Sequence, residues 1–353
     1  VAAVSCLLLY TSGTTSSPKG VPLTYQNMLG NIEAAADEFE VTEHDRILSA
    51  APFSHLYGIF NFHMALSRGA ATVLLSTFTP QDLGQMVSIH QPTMLFLGPA
   101  HAAAMWGQGL INQTDFASVR FSVFSGASCP TYVLESYQAA IPASTVAQLW
   151  GMTEIQAGSF TRASDPLSVA ATSAGLPARG NEVRIRSLDG DILLAGEEGE
   201  LEIRGPSVFG GYLDNQEANA AAFTKDGWFR SGDLACIDDS GYIRLTGRTK
   251  DLINRGGVKY NPTDIEALLM QNDAIDQAAI VAMPDRILGE KACCFVTLQP
   301  GFDLSLTEVC VLLEDENISK VKWPERLEIV EEMPLTPTRK IIKGELAQRL
   351  KSS

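Results

Sequence analysis

At 353 residues the chain is long enough for about two domains, and a composition of 45% hydrophobic and 19% charged residues excludes a disordered or fibrous protein. Its 41 Asp and Glu against 26 Lys and Arg give a net charge of −15. No basic block tracks a polyanion, so neither nucleic acid nor an anionic membrane is expected as a partner, and an anionic ligand would be held locally, by backbone N–H groups and a few placed cations.

The first 150 residues alternate short apolar runs with helical patterns. Cys6–Tyr10 reads as a buried strand, and Thr24–Phe39 as a helix with Met28, Ile32, Ala35 and Phe39 on one face. Ala71–Leu75, Thr93–Leu97, Val119–Phe124 and Thr145–Leu149 are further strands, and Pro130–Ala140 is a helix. This βα alternation predicts a mostly parallel sheet. From Gly175 the texture changes. Short alternating runs (Val183–Arg186, Glu200–Arg204) are separated by turns at Asp189-Gly190, Gly210-Gly211, Asp226-Gly227 and Ser240-Gly241, which predicts a small barrel or meander. After Gly247–Asp251 comes an α+β unit. Pro262–Met270, Leu304–Glu314 and Ile341–Leu350 are its helices, and Gln277–Met283, Lys291–Leu298 and Arg326–Val330 its strands. The predicted domains are 1–249, with a β-rich part at 175–249, and 250–353.

The six cysteines form no C-x-x-C pair, and His55 and His63 lack metal spacing. Neither a zinc site nor a disulfide framework is expected, which fits a reducing compartment, read as the cytoplasm with an organelle left open. No run of about 18 apolar residues marks a membrane span.

The chemistry concentrates in a few loops. The string Y-T-S-G-T-T-S-S-P-K-G-V-P, from Tyr10 to Pro22, joins a strand to a helix. Hydroxyls and N–H groups there can wrap a polyphosphate, with Lys19 adding charge, but composition alone equally describes a surface loop. The P-loop pattern G-x-x-x-x-G-K-S/T is absent. Further strings follow in order: Ala51–Gly58 around His55, Ser125-Gly126-Ala127-Ser128, Leu149–Glu154, Gly199–Pro206, Trp228–Ala235, Gly247–Asp251 and Pro334–Ile341.

Together these strings resemble, in sequence order, the signatures of the adenylate-forming superfamily of acyl- and aryl-CoA synthetases, nonribosomal adenylation domains and beetle luciferases. The resemblance spans the chain from Leu7 to about Lys343. It implies a large multi-layer αβ N-terminal domain with a small β-barrel subdomain, and a small α+β C-terminal lid domain. Thr11, Ser12, Gly13, Thr14, Thr15 and Lys19 would cradle pyrophosphate. Gly126, Ala127 and Ser128 would line the adenine, and Trp150 would stack on it within the loop Gly151, Met152, Thr153 and Glu154. Thr153 would contact the α-phosphate and Glu154 would hold Mg²⁺, an oxygen ligand for a hard cation. Asp233 and Arg248 would bind the ribose, Lys250 would mark the hinge, and Gly256 and Gly257 would approach the thiol tunnel. Lys340 would bridge the carboxylate and the α-phosphate, where charge gathers in the transition state. His55 would flank the acyl pocket. Ser16, Trp150 and Arg339 stand where the family usually has Gly, Tyr and Gly.

The implied reaction joins an acid and ATP into an acyl-adenylate and pyrophosphate, and the CoA thiol then displaces AMP. The implied ligands are therefore ATP, Mg²⁺ and CoA. The segment Pro52–Gly58 carries no Asp to pair a substrate ammonium, and the candidate pocket (His55, Phe60, Phe96, Gly98, Met105, Phe124 and Met152) is apolar. Both features favour an uncharged acyl or aryl acid. CoA is expected as acceptor because no carrier domain follows Ser353 in this sequence. A carrier protein, or a non-catalytic nucleotide-binding module, are the alternatives. The family usually carries roughly 150 residues, a domain's worth, before its phosphate loop. Here ten precede Thr11, so an N-terminal part is expected to be missing and to leave an apolar face exposed.

Overall fold

The computed structural model describes residues 4–11, 18–127, 129–336 and 340–351. The chain forms two compact units. The first runs to residue 231 and adds Ala235–Leu245; the second comprises Gly232–Leu234 and the chain from Thr246 onward.

The first unit opens with an antiparallel hairpin, β1 (Ser5–Thr11) and β2 (Lys19–Thr24), in a sheet of its own. The stretch predicted as a buried strand is thus an arm of a two-stranded ribbon, with Leu8 and Tyr10 exposed because alternation puts both on its more exposed face. Thr24 then caps α1 (Tyr25–Glu38) through a capping box with Asn27. The four residues expected on one face of this helix, Met28, Ile32, Ala35 and Phe39, are all buried in one core.

The main sheet has seven strands in the order β4-β3-β5-β6-β7-β8-β9. They are β3 (Arg46–Ser49), β4 (Ala71–Val73), β5 (Met94–Leu97), β6 (Phe121–Phe124), β7 (Thr145–Met152), β8 (Gln156–Phe160) and β9 (Leu176–Pro177). The pairings from β4 to β7 are parallel, and β7-β8 and β8-β9 are antiparallel. Between the strands run α2 (Leu56–Arg68), α3 (Pro80–His90), α4 (Pro99–Gly107), α5 (Thr131–Ala140) and the short α6 (Leu167–Ala170). Strand alternation separates two cores. Met94, Phe96, Phe121 and Val123 join α1 and α2 on one face, while Leu95, Leu97 and Phe124 join α3, α4 and α5 on the other.

The β-rich region holds β10 (Glu182–Arg186), β11 (Gly199–Arg204), β12 (Phe229–Ile237) and β13 (Ile243–Arg248), with α7 (Gln216–Ala222) between β11 and β12. The strands lie in sequential order, which is the meander of the two forms expected, and among the described residues no pairing of β10 with β13 closes it into a barrel. Two of its arginines, Arg184 and Arg186, hold the fully buried Glu202 at 2.6 and 2.7 Å.

In the second unit, β14 (Ile253–Arg255), β15 (Val258–Tyr260), β16 (Ile275–Asp285), β17 (Gly289–Leu298) and β18 (Arg326–Ile329) form one sheet, with β18 parallel to β17. Helices α8 (Thr263–Leu269), α9 (Leu306–Asp315) and α10 (Lys343–Lys351) cover it through two small cores. Among the described residues no helix is long and apolar enough to cross a membrane.

Apolar side chains are also exposed on the first unit. Tyr25 and Leu29 are a turn apart on α1, as are Phe62 and Leu66 on α2, and the Phe53 ring packs edge-on against Phe62 at 5.7 Å.

One buried carboxylate ties the leading ends of three parallel strands. Asp45 accepts from Thr93 Oγ1 (2.7 Å), Arg120 Nε (2.9 Å) and Nη2 (2.8 Å), and the Thr42 N–H (2.8 Å). Burial alone would raise its pKa, but these donors outweigh it and bring the group from 3.8 to about 2. The folded state therefore gains stability from Asp45 above its ordinary pKa and loses it as pH falls toward 2. Asp45→Asn should cost about 2 kcal/mol at neutral pH. Urea denaturation at a series of pH values should show the gap to wild type closing below about pH 4.

Candidate active site

The residues singled out in the sequence fall into two groups, one in each unit. In the first unit, Thr11 and Lys19 face each other across the β1-β2 ladder, and Thr11 Oγ1 lies 3.5 Å from the Lys19 carbonyl. Ser12, Gly13, Thr14 and Thr15 lie outside the described residues, as do Ser16, Ser128 and Arg339. Gly126, with φ 89°, and Ala127 form an exposed turn directly after β6.

The Trp150–Glu154 loop is built around a close backbone approach. A bulge between Trp150 and Gly151 interrupts the β7-β8 ladder, and Gln156 takes a left-handed φ of 57°. A Cβ at Gly151 would stand 1.9 Å from the Gln156 carbonyl oxygen, so only glycine fits. Trp150 is buried, Met152 and Thr153 are half-buried, and Thr153 begins the turn into β8.

That turn places Glu154, which is 8% exposed, within 2.9 Å of the Tyr212 hydroxyl, which donates to its Oε1. Burial and the Glu154 charge raise the Tyr212 pKa, so the phenol stays a donor. The Lys19 ammonium sits 4.8 Å over the same ring, and the Leu213 N–H reaches the Gly20 carbonyl at 2.9 Å. Tyr212 thus joins the strand carrying Lys19 to the loop carrying Glu154. Sequence reading missed it; the signal was the Gly210-Gly211 pair before it, taken only as a turn.

No group of three His, Cys, Asp or Glu side chains among the described residues could hold a metal by itself. Glu154 as a single carboxylate fits Mg²⁺, which keeps several waters and takes the rest of its shell from substrate phosphates.

His55 caps α2 with its backbone and is half-buried, which pushes its pKa down. The residues read as an acyl pocket do not gather. Phe60 and Phe96 belong to the core on one face of the sheet, which Met152 also borders, and Met105 and Phe124 to the core on the other.

In the second unit Arg248 Nε donates to Asp233 Oδ1 at 2.7 Å, and Thr249 Oγ1 donates to the Gly232 carbonyl at 3.1 Å. Gly247 is needed beside them, since a Cβ there would fall 1.2 Å from Asn261 Nδ2, which donates to the Thr246 carbonyl. Lys250 and Lys340 share this neighbourhood. Desolvation and the Arg248 charge lower the pKa of both, while Asp233 and Asp251 oppose the shift. Lys340, exposed along its length, has its ammonium pushed down from 10.5 to about 8. Its backbone is fixed by two hydrogen bonds with Thr336: the Lys340 N–H donates to Thr336 Oγ1 at 3.0 Å, and the Thr336 N–H to the Lys340 carbonyl at 2.8 Å. Gly256 and Gly257 form the exposed turn between β14 and β15, with φ 61° and 91°.

The profile of the AMP-binding enzymes matches residues 4–213, and that of the AMP-binding enzyme C-terminal domain matches residues 264–340. The medium-chain fatty-acid–CoA ligase of Escherichia coli is 35% identical over 344 residues, 95% of this chain and 59% of that enzyme. Enterobactin synthase component E of the same species is 33% identical over 96% of this chain and 64% of its own length. The chain thus spans about three fifths to two thirds of the length of these curated relatives. The o-succinylbenzoate CoA synthetase of Bacillus subtilis, solved with its acyl-adenylate intermediate, superposes with a TM-score of 0.88 at 27% identity, covering 98% of this chain and 69% of that one. The chain belongs to the family of AMP-binding enzymes.

Proposed function

We propose that the chain carries the ATP- and CoA-handling part of an ATP-dependent carboxylic acid–CoA ligase. An acid and ATP give an acyl-adenylate and pyrophosphate, and CoA then gives the thioester and AMP. The observation that carries this reading is the Lys340 ammonium grouped with Asp233, Arg248 and Lys250, in a chain of this family. Asp233, held by Arg248, is a carboxylate that can accept two hydrogen bonds from ribose. Trp150 supplies a π face for the purine, and Thr153 a hydroxyl for the α-phosphate. Glu154 would hold Mg²⁺ arriving with the nucleotide, and the ion would supply charge neutralisation at the phosphates. Lys19 and Lys340 are the cations for pyrophosphate and for the carboxylate–phosphate junction. Residues 1–249 would form the nucleotide-binding domain and 250–353 the mobile one, turning about Lys250, with Gly256 and Gly257 toward the thiol.

The absence of an Asp in Pro52–Gly58 supports an uncharged acyl or aryl substrate. His55, kept neutral by burial, would flank it. The second reading replaces CoA by a carrier-protein thiol and is favoured by the likeness to a component of a multi-part synthase. A cytoplasmic site of action goes with either.

Pyrophosphate exchange with straight-chain fatty acids, benzoate, cinnamate and the amino acids tests the reaction. Exchange driven only by amino acids sinks the acid–CoA reading. Lys340→Ala should lower exchange by at least about 10²-fold while ATP binding, measured by calorimetry, stays close to wild type. Equal and negligible turnover in both proteins would leave only a nucleotide-binding module.

The lysine also predicts a pH dependence. Its charged form is the active one, so exchange should fall as pH rises through about 8, as set by desolvation and then by Arg248 and Lys250 against Asp233 and Asp251. Lys340→Arg should remove that alkaline limb, since a guanidinium does not titrate there. A wild-type profile flat to pH 10 would exclude Lys340 as the titrating group.

A further inference from the structure

Lys343 stands in a place that opposes a cation. It is the first residue of α10, where the helix dipole disfavours positive charge. It also adds to the field that lowers the pKa of Lys250. A single carboxylate offsets both effects. Glu266, 8% exposed on α8, approaches Lys343 Nζ at 2.6 Å through Oε1, and the same oxygen accepts the Ile280 N–H of β16 at 2.6 Å. One oxygen therefore joins three elements: α8, the edge strand β16 and the start of α10.

The segment between this pair and Lys340 is short and tied at each step. Ile341 bridges Leu335, and the Ile342 N–H donates to the Pro334 carbonyl at 2.8 Å. Thr336 fixes Lys340 itself. Lys340 thus has an anchor on each side, Thr336 before it and Lys343–Glu266 after it. If the second were released, Lys340 would keep its ties to Thr336, Leu335 and Pro334 but lose the polar contact that fixes the start of α10.

We propose that Glu266 and Lys343 are a positioning pair for Lys340: their ion pair fixes the start of α10 and thereby sets where the Lys340 ammonium stands during adenylation. The proposal rests on the acid–ligase reading of Lys340. The pair touches no reacting atom. It acts on the half-reaction that uses Lys340 and leaves thioester formation alone.

Glu266→Gln keeps an oxygen acceptor for the Ile280 N–H and removes the charge. Lys343→Gln removes the partner, and Lys343→Arg keeps it. Three quantities are measured on the purified protein: pyrophosphate exchange with whichever acid of the panel exchanges fastest, thioester formation from the matching synthetic acyl-adenylate and CoA, and the melting temperature. Glu266→Gln and Lys343→Gln should lower kcat for exchange by about 10- to 10²-fold with KM for ATP little changed, since small displacements of a reacting group have effects of that order. Thioester formation should stay close to wild type, and Lys343→Arg should recover most of the exchange. Wild-type exchange rates in the Gln variants, or equal loss in both half-reactions with a lowered melting temperature, would overturn the proposal. If wild type is active, Lys340→Ala is dead and the pair variants are normal, only the positioning role fails. If wild type does not exchange with any acid, the ligase reading fails and this proposal with it.

Discussion

Four cations, Arg248, Lys250, Lys340 and Lys343, lie close enough in the second unit for their charges to act on one another's protonation. Their mutual repulsion is the constraint on which the arrangement turns. Each is balanced in a different way. Arg248 is bonded directly to Asp233, and Lys343 to Glu266. For Lys250 and Lys340, Asp233 and Asp251 offset part of the repulsion and burial of the ammonium adds to it, which leaves Lys340 with the pKa of about 8. Such a lysine lies near its titration point, which suits the role proposed for it, to meet a gathering negative charge.

The first unit meets the same problem with the opposite sign. Glu154 is a buried carboxylate that accepts from the neutral hydroxyl of Tyr212. That hydrogen bond orients the carboxylate without adding an opposite charge, which suits the cation-holding role proposed for it. The backbone around it is bent by Gly151 and Gln156, and both departures from regular strand geometry are needed to turn the chain after Trp150. Local strain of this kind persists only where the surroundings impose it. Here Tyr212 and the Phe209 N–H, which donates to the Glu154 carbonyl at 2.8 Å, do so from a separate loop.

These features were unequally legible in the sequence. Helices with a clear period, such as α1 and α9, were read nearly to their ends, because an apolar stripe is a local property. The parallel strands β5 and β6 were found as elements, but their faces were not. Phe96 sits opposite Val123 and Phe124 opposite Leu97, so the two phenylalanines point into different cores. Aromatic residues were therefore gathered into one pocket that the sheet divides. Strand β2 was overlooked because the stretch was read as one loop running to the helix, and Pro22 fits within it because a two-stranded ribbon has free edges. The motifs located Asp233, Arg248 and Lys340 because each lies in a recognisable string. Tyr212, Glu266 and Lys343 had no such string around them. Their roles depend on partners distant in the chain, and only folding brings those together.

The Glu266–Lys343 pair also shows why stability alone does not account for such a contact. Taking two charges largely out of water costs about as much as their attraction returns, and a well-packed apolar pair would often hold two elements together as firmly. What an apolar contact lacks is direction. Glu266 must satisfy the Ile280 N–H and the Lys343 ammonium with one oxygen, which restricts the azimuth of α10 about its axis as well as its distance from β16. Leu346, buried in the small core beneath the helix, fixes the distance alone. A lysine with the role proposed for Lys340, reaching one point on a substrate, would need the helix after it fixed in rotation, and the ion pair three residues on would supply that restriction.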